Sequence, residues 1–133
     1  MSPHVRIARP VSNPDAAADM YCRGLGLRVV GRFADHDGFD GVMLGVAGSG
    51  YHFEFTYRRA HPITPTPTAE DLVVLYIPDA EQWKAACANM AAAGFVSVES
   101  MNPYWEAHGR TFLDPDGYRT VLQCARWTNV EKA

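Results

Sequence analysis

The stretch that decides the fold is Thr111-Phe112-Leu113-Asp114-Pro115-Asp116-Gly117-Tyr118-Arg119-Thr120-Val121-Leu122-Gln123. Two apolar runs flank its central tetrapeptide, residues 114–117. Proline presets φ at the second position of a turn and glycine accepts the positive φ that follows, so the tetrapeptide predicts a tight hairpin. Side chains alternate between the two faces of a strand, so Arg119, Val121 and Gln123 are expected to share one face after the turn.

Composition limits the classes of function. The chain has 133 residues, of which 47% are hydrophobic and 20% charged, which suits about one ordinary domain. A net charge of -3, with lysine only at Lys84 and Lys132, argues against a nucleic-acid partner, because phosphate binding needs clustered basic residues. No apolar run approaches the ~18 residues of a membrane span and the N-terminus lacks a signal-peptide pattern, so we expect a cytoplasmic protein that does not enter a membrane.

The chain repeats one order of predicted elements. Residues 4–58 and residues 72–126 each read as a strand, a helix and three further strands. A proline-rich connector, residues 59–71, joins them and is expected to be extended. The sequence therefore predicts a single domain over residues 1–133, made of two βαβββ modules.

The two helices have clear start signals. Asn13 and Asp79 are good N-caps for helices near 13–24 and 79–93, and Gly24 is placed to close the first in a left-handed conformation. The side chains expected in the core are apolar and periodic: Ile7, Met20, Leu44, Phe53, Leu75, Trp83, Cys87, Met90, Phe112 and Leu122. The three cysteines lack metal-site spacing and are expected to be reduced thiols.

The duplication, the segment Tyr21-Cys22-Arg23-Gly24-Leu25-Gly26-Leu27 and the terminal Asp114-Pro115-Asp116-Gly117-Tyr118 resemble the vicinal oxygen chelate superfamily. That superfamily includes glyoxalase I, bleomycin-resistance proteins and extradiol dioxygenases. The resemblance covers nearly the whole chain and implies an α+β fold in which two βαβββ modules form an open eight-stranded barrel around a ligand cleft. A ferredoxin-like domain with extra hairpins is the alternative, but it leaves the second hairpin pair unexplained.

The resemblance also assigns metal-ligand positions. Metal-using members take four ligands, usually His or Glu, from the first and last strand of each module. Here those positions fall on Arg6, Glu54, Leu72 and Val121. A guanidinium is a permanent cation and the two aliphatic side chains have no donor atom, so only Glu54 could coordinate a metal. We therefore expect no metal cofactor.

Two interpretations of the strand that carries Glu54 stay open. His52 lies on the same strand face, so His52, Glu54 and one further donor such as Gln123 could hold a divalent metal at a rearranged site. In the other, His52 and Glu54 are hydrogen-bonding groups that line the cleft. The resemblance places the first and last strands of a module side by side, and a carboxylate left alone there would be costly. We predict that Arg6 and Glu54 form an ion pair in place of the metal, with His52 hydrogen-bonded beside it.

Large aromatic residues stand out in residues 101–110. Tyr104 and Trp105 lie among Asn, Pro and Gly, so they are expected to form a flap over the cleft, a subunit contact or simple packing. Tyr76 and Gln123 would add polar contacts from strands of the second module. The predicted ligand-binding residues are Arg6, His52, Glu54, Tyr76, Tyr104, Trp105 and Gln123.

Two functional classes follow. The first is a metal-independent small-molecule-binding protein, similar to the metal-free resistance proteins of the superfamily that sequester drugs. The alternative is an enzyme, a metal-dependent lyase, isomerase or dioxygenase with a rearranged site. The resemblance is compatible with a homodimer or a closed monomer, and neither the ligand nor a catalytic residue follows from the sequence.

Overall fold

The computed structural model describes residues 2–132, and the α+β class and the repeated βαβββ order are confirmed. The chain divides after Thr66 into two compact units, so the boundary lies inside the predicted connector. The first unit holds β1 (Val5–Pro10), α1 (Pro14–Leu25), β2 (Arg28–His36), β3 (Phe39–Gly45) and β4 (Tyr51–Arg58). The second holds β5 (Leu72–Tyr76), α2 (Ala80–Ala92), β6 (Val96–Val98), α3 (Tyr104–Ala107), β7 (Gly109–Leu113) and β8 (Arg119–Gln123). Among the helices of residues 2–132, none has the length and apolar character that a bilayer crossing requires.

Each unit contains one four-stranded sheet, and the two sheets have the same topology. Their strand orders are β1-β4-β3-β2 and β5-β8-β7-β6. In each sheet the first and last strands of the unit pair in parallel, and the remaining neighbours are antiparallel. The expected side-by-side placement of the first and last strands is therefore correct in both units.

The predicted hairpin near the C-terminus is present. Gly117 has φ 91, and its N–H donates to the carbonyl of Asp114 at 3.1 Å. The Asp114 carboxylate accepts from the backbone N–H groups of Asp116 and Tyr118, both at 2.9 Å. These bonds hold β7 and β8 in a fixed antiparallel register, and that register places the alternate side chains of β8 on the face described below.

Both predicted N-caps are confirmed, but one C-terminal assignment is wrong. The Asn13 side chain accepts from the N–H of Ala16 at 3.1 Å, and that of Asp79 accepts from the N–H of Gln82 at 2.8 Å. Gly24 does not close α1, since it is buried within the helix, and Gly26 with φ 70 caps it instead. The sequence offered two glycines, and the helix continues through the first because that position lies on its buried face.

A third helix, α3, was not predicted, so the expectation of only two helices is wrong. It spans Tyr104–Ala107 and follows a turn in which the Asn102 side chain accepts from the N–H of Tyr104 at 3.0 Å. The Glu106 carboxylate accepts from the N–H of Ser100. A single turn held by such contacts has no apolar periodicity of its own, which is why the pattern indicated a loop.

The core prediction is correct in part. The expected side chains that are buried are Leu44, Phe53, Cys87, Met90, Phe112 and Leu122. Those that are only partly buried are Ile7, Met20, Leu75 and Trp83. Trp83 lies at the edge of the core because its indole N–H donates to the carbonyl of Leu122 at 2.8 Å while the Arg110 guanidinium covers its ring at 5.6 Å. Phe55 is a core residue that the prediction missed.

Candidate functional site

A polar cluster lies on one face of the first sheet, where β1 and β4 run in parallel. The register pairs Arg6 with His52 and Ala8 with Glu54, so the charged side chains share a face. Arg6 Nη1 donates to Glu54 Oε2 at 3.2 Å, and Arg6 Nε donates to His52 Nε2 at 2.8 Å. The predicted ion pair, with His52 hydrogen-bonded beside it, is therefore present.

His4 extends this cluster. Its Nε2 atom lies 2.6 Å from His52 Nδ1, and the two rings are stacked with centroids 4.9 Å apart. Because Arg6 Nε can only donate, His52 Nε2 must accept, which leaves the His52 proton on Nδ1 to be donated to His4. The polar cluster is thus His4, His52, Arg6 and Glu54. His4 was missed, although it lies two positions before Arg6 on the same strand face and alternation could have identified it.

The electrostatics of the polar cluster favour a neutral His52. Partial burial lowers the pKa of His52, the charges of Arg6 and then His4 lower it further, and Glu54 partly opposes them. A neutral His52 ring keeps the lone pair of Nε2, which accepts the hydrogen bond from Arg6 Nε. The Arg6 side chain is 51% exposed, whereas that of Glu54 is only 14% exposed, so the carboxylate depends on Arg6 for its counter-charge.

The second sheet repeats this register with different chemistry. Leu72 lies opposite Arg119, and Val121 follows two residues later, just as Glu54 follows His52. At the ligand positions that the superfamily resemblance assigns, β5 and β8 thus present leucine and valine, which have no donor atom. Across residues 2–132, no three His, Cys, Asp or Glu side chains are grouped so that they could hold a metal ion. The residues present do not fit a metal centre of that type.

A cavity of about 310 Å³ lies in the second unit. Its floor is the sheet face that carries Leu72, Val74 and Arg119, and its wall includes Trp105 and Glu70. We call it the second-unit cavity. An apolar floor with one aromatic side chain and a few charged groups is the composition of a small-molecule site.

The wall that carries Trp105 is held to the sheet. The Ser100 hydroxyl shares a hydrogen bond with the hydroxyl of Thr111, and the Ser100 N–H donates to Glu106 in α3. Trp105 lines the second-unit cavity, and the ring of Tyr104 contacts it edge-on with centroids 4.8 Å apart. Tyr104 itself is 61% exposed and lies outside the lining.

The two remaining predicted residues, Gln123 and Tyr76, are register partners on β8 and β5, and neither lines the second-unit cavity. Gln123 is 3% exposed, and its Oε1 has no hydrogen-bond partner among residues 2–132. That oxygen packs over Gly109, where a Cβ atom would be 2.2 Å away, so no larger residue fits there without a shift. Tyr76 is 36% exposed, and its ring lies 6.1 Å from that of Trp127. The structure therefore groups Arg6, His52 and Glu54 in the first unit, and in the second unit it brings Tyr104 into contact with Trp105 and places Tyr76 opposite Gln123.

Comparison with known proteins gives consistent matches along the chain. Residues 5–56 match the YycE-like N-terminal domain, and residues 70–124 match the YycE-like C-terminal domain. The chain is 41% identical over 118 residues to the uncharacterized protein YycE of Bacillus subtilis strain 168, across 89% of this chain and 85% of that protein. A crystal structure of a YycE protein of unknown function from Bacillus subtilis superposes with a TM-score of 0.87 and 38% identity, across 95% of this chain and 92% of that one.

More distant structures show the fold alone. The Leishmania major glyoxalase I, which is trypanothione-dependent, has a TM-score of 0.71 and 19% identity over 94% of this chain and 88% of its own. TnmS3, an antibiotic binding protein from Streptomyces sp. CB03234, has a TM-score of 0.63 and 19% identity over 92% and 94%. These likenesses confirm the glyoxalase/bleomycin resistance fold and the resemblance to the vicinal oxygen chelate superfamily.

Proposed function

The chain belongs to the YycE-like family, and from this and the geometry of its site we propose that it binds a small organic molecule without a metal ion. The observation that carries the proposal is the pair between Arg6 and Glu54, with its 3.2 Å contact between Nη1 and Oε2. A carboxylate that is mostly removed from water needs a counter-charge, and here a guanidinium supplies it in place of a divalent ion.

The hydrogen bonds of the polar cluster support the same conclusion. His52 Nε2, the lone pair that could bind a metal, already accepts from Arg6 at 2.8 Å. Its other nitrogen lies 2.6 Å from His4 Nε2. A metal at His52 and Glu54 would have to displace a permanent cation and break these bonds, which costs more than filling a vacant site.

We propose that the ligand occupies the second-unit cavity. Its volume of about 310 Å³ is at the lower end of the range for small-molecule sites. Trp105 offers a flat aromatic surface and Leu72 and Val74 an apolar floor. That TnmS3 is an antibiotic binding protein with this fold supports the class of function by analogy only.

One observation favours a second candidate, a metal-dependent lyase, isomerase or dioxygenase with a rearranged site. His4 adds a donor beside His52, and Glu54 lies on the same sheet face. These three side chains are not grouped closely enough to hold a metal as they stand, so binding would require the Arg6 guanidinium to leave Glu54 and the three side chains to move together. Arg6→Ala is therefore the variant that separates the two candidates.

Elemental analysis of the untagged protein and calorimetric titration with Zn²⁺, Ni²⁺ and Mn²⁺ test the proposal. We expect no stoichiometric metal in the wild type and weak metal binding that tightens in Arg6→Ala, because that change frees Glu54 and His52. Arg23→Ala, which breaks an exposed pair with Asp19, is the matched control and should change nothing. A stoichiometric metal that is lost on Glu54→Gln would replace the binding function with the enzymatic candidate.

A further inference from the structure

We propose that the second-unit cavity selects an organic monoanion, with Arg119 binding the oxyanion and Trp105 contacting a flat apolar body. The oxyanion class comprises carboxylates, sulfonates and phosphonate monoesters. This inference rests on the proposed small-molecule function and names the chemistry of its ligand.

The guanidinium of Arg119 lines the second-unit cavity and is largely unpartnered within residues 2–132. The only side-chain hydrogen bond of Arg119 among these residues runs from Nη1 to the carbonyl of Glu99, at a long 3.4 Å. No carboxylate of the described chain lies within ion-pair distance of it. A guanidinium has five N–H donors in a planar fork that matches an oxyanion, so most of its capacity is open.

In the first unit, the side chain at the position equivalent to Arg119 has a hydrogen-bond partner within its own sheet. Arg119 occupies in β8 the register place that His52 occupies in β4. In the first unit the local arginine, Arg6, bonds both His52 and Glu54. In the second unit the corresponding places hold Leu72 and Val121, which cannot neutralise a cation. The repeat therefore leaves the positive charge of Arg119 facing the second-unit cavity.

Other groups of the second-unit cavity define the rest of the ligand. Ser100 and Thr111 share one hydrogen bond between their hydroxyls, so one hydroxyl proton stays available to an acceptor. Glu70 also lines the cavity, and its charge disfavours a second negative charge on the ligand. Trp105 suits a flat ring beside the apolar floor.

Two fluorescent probes that differ in one charged group test this assignment. The probes are 8-anilinonaphthalene-1-sulfonate and N-phenyl-1-naphthylamine, which share the aromatic body, and only the first carries a sulfonate. Both are titrated into the full chain, its Arg119→Gln, Arg119→Lys and Trp105→Ala variants, and Arg126→Gln as the control, since Arg126 is an exposed arginine of the second unit that does not line the second-unit cavity. Arg119 makes a single long bond, so Arg119→Gln should melt at the same temperature as the wild type.

We expect the wild type to bind the sulfonate at one site with at least tenfold preference over the neutral probe. Arg119→Gln should weaken binding of the sulfonate probe roughly tenfold and leave binding of the neutral probe unchanged. Arg119→Lys should keep part of the preference for the sulfonate, and Trp105→Ala should weaken binding of both probes. Arg126→Gln should change the affinity for neither probe. The anion assignment is overturned if the two probes bind with equal affinity, or if Arg119→Gln leaves the affinity for the sulfonate probe intact. In either case, weaker probe binding in Trp105→Ala would still support small-molecule binding. Failure of both probes to saturate overturns both proposals.

Discussion

Removing the guanidinium of Arg6 should destabilise the protein through the carboxylate that it leaves behind. The Glu54 side chain is 14% exposed and accepts from Arg6 at 3.2 Å, so Arg6→Ala strands a mostly desolvated charge. Breaking a fully buried ion pair costs about 3 to 5 kcal/mol and an exposed one about 0.2 to 1. Because the Arg6 side chain is 51% exposed and admits water, we expect about 2 kcal/mol.

The double variant Arg6→Ala with Glu54→Gln removes the stranded charge together with its partner. We expect it to be about 1 kcal/mol more stable than Arg6→Ala alone, so the magnitude of the coupling energy is about 1 kcal/mol plus whatever Glu54→Gln costs by itself. Urea unfolding at neutral pH, followed by far-ultraviolet circular dichroism because all three tryptophans lie in the second unit, measures the midpoints and slopes of all four members of the cycle. The reasoning requires slopes that agree, so that differences in midpoint report stability.

The exposed pair between Arg23 and Asp19 is the matched control for this cycle. Its atoms are 3.0 Å apart, but the side chains are 56% and 64% exposed, and a helical pair of this kind couples by only about 0.3 to 0.5 kcal/mol. A coupling energy for Arg6 and Glu54 no larger than that of the control, or a double variant less stable than Arg6→Ala, would refute the account of a stranded carboxylate.

Three further changes have defined outcomes. The pKa of His52 is lowered in the fold, so the unfolded chain holds more protons between that lowered value and 6.5. The contribution of His52 to the free energy of unfolding should be fully present above pH 6.5 and should be lost as the pH falls from 6.5 through the lowered pKa. The urea midpoint should therefore depend less on pH in His52→Gln than in the wild type. Trp83→Ala should lower the free energy of unfolding by about 2 to 3 kcal/mol, rather than by the 3 to 5 of a fully enclosed ring. Trp83→Phe should lower it by about 1 kcal/mol, because it removes mainly the hydrogen bond to Leu122. Equal losses in the two variants would contradict this. Tyr104→Ala with Trp105→Ala should weaken binding of 8-anilinonaphthalene-1-sulfonate and leave the melting temperature within a few degrees, whereas a shift on a sizing column would place these rings at a subunit contact.

Local signals in the sequence predicted the elements and their ends. Asn13 and Asp79 cap helices, and residues 114–117 form a turn, because each depends on bonds to atoms at most four residues away. The resemblance to the superfamily then predicted that the first and last strands of each module would be neighbours. The pair between Arg6 and Glu54 followed from that neighbour relation, since a two-residue alternation and a parallel partner settle the face of each side chain.

Contacts between distant residues decided what alternation and capping could not. His4 and His52 are 48 positions apart, and only the register of β1 against β4 brings His4 Nε2 within 2.6 Å of His52 Nδ1. For Arg119, the sequence predicted only that it shares one face of its strand with Val121 and Gln123. That it faces a cavity beside Trp105, with no carboxylate of residues 2–132 within ion-pair distance, depends on how β8, α3 and the end of the connector pack. Amino-acid identity determines which groups carry charge, and alternation determines which of them share a strand face. The distance between side chains on elements that are far apart in the chain is set by three-dimensional packing, which local pattern does not reach.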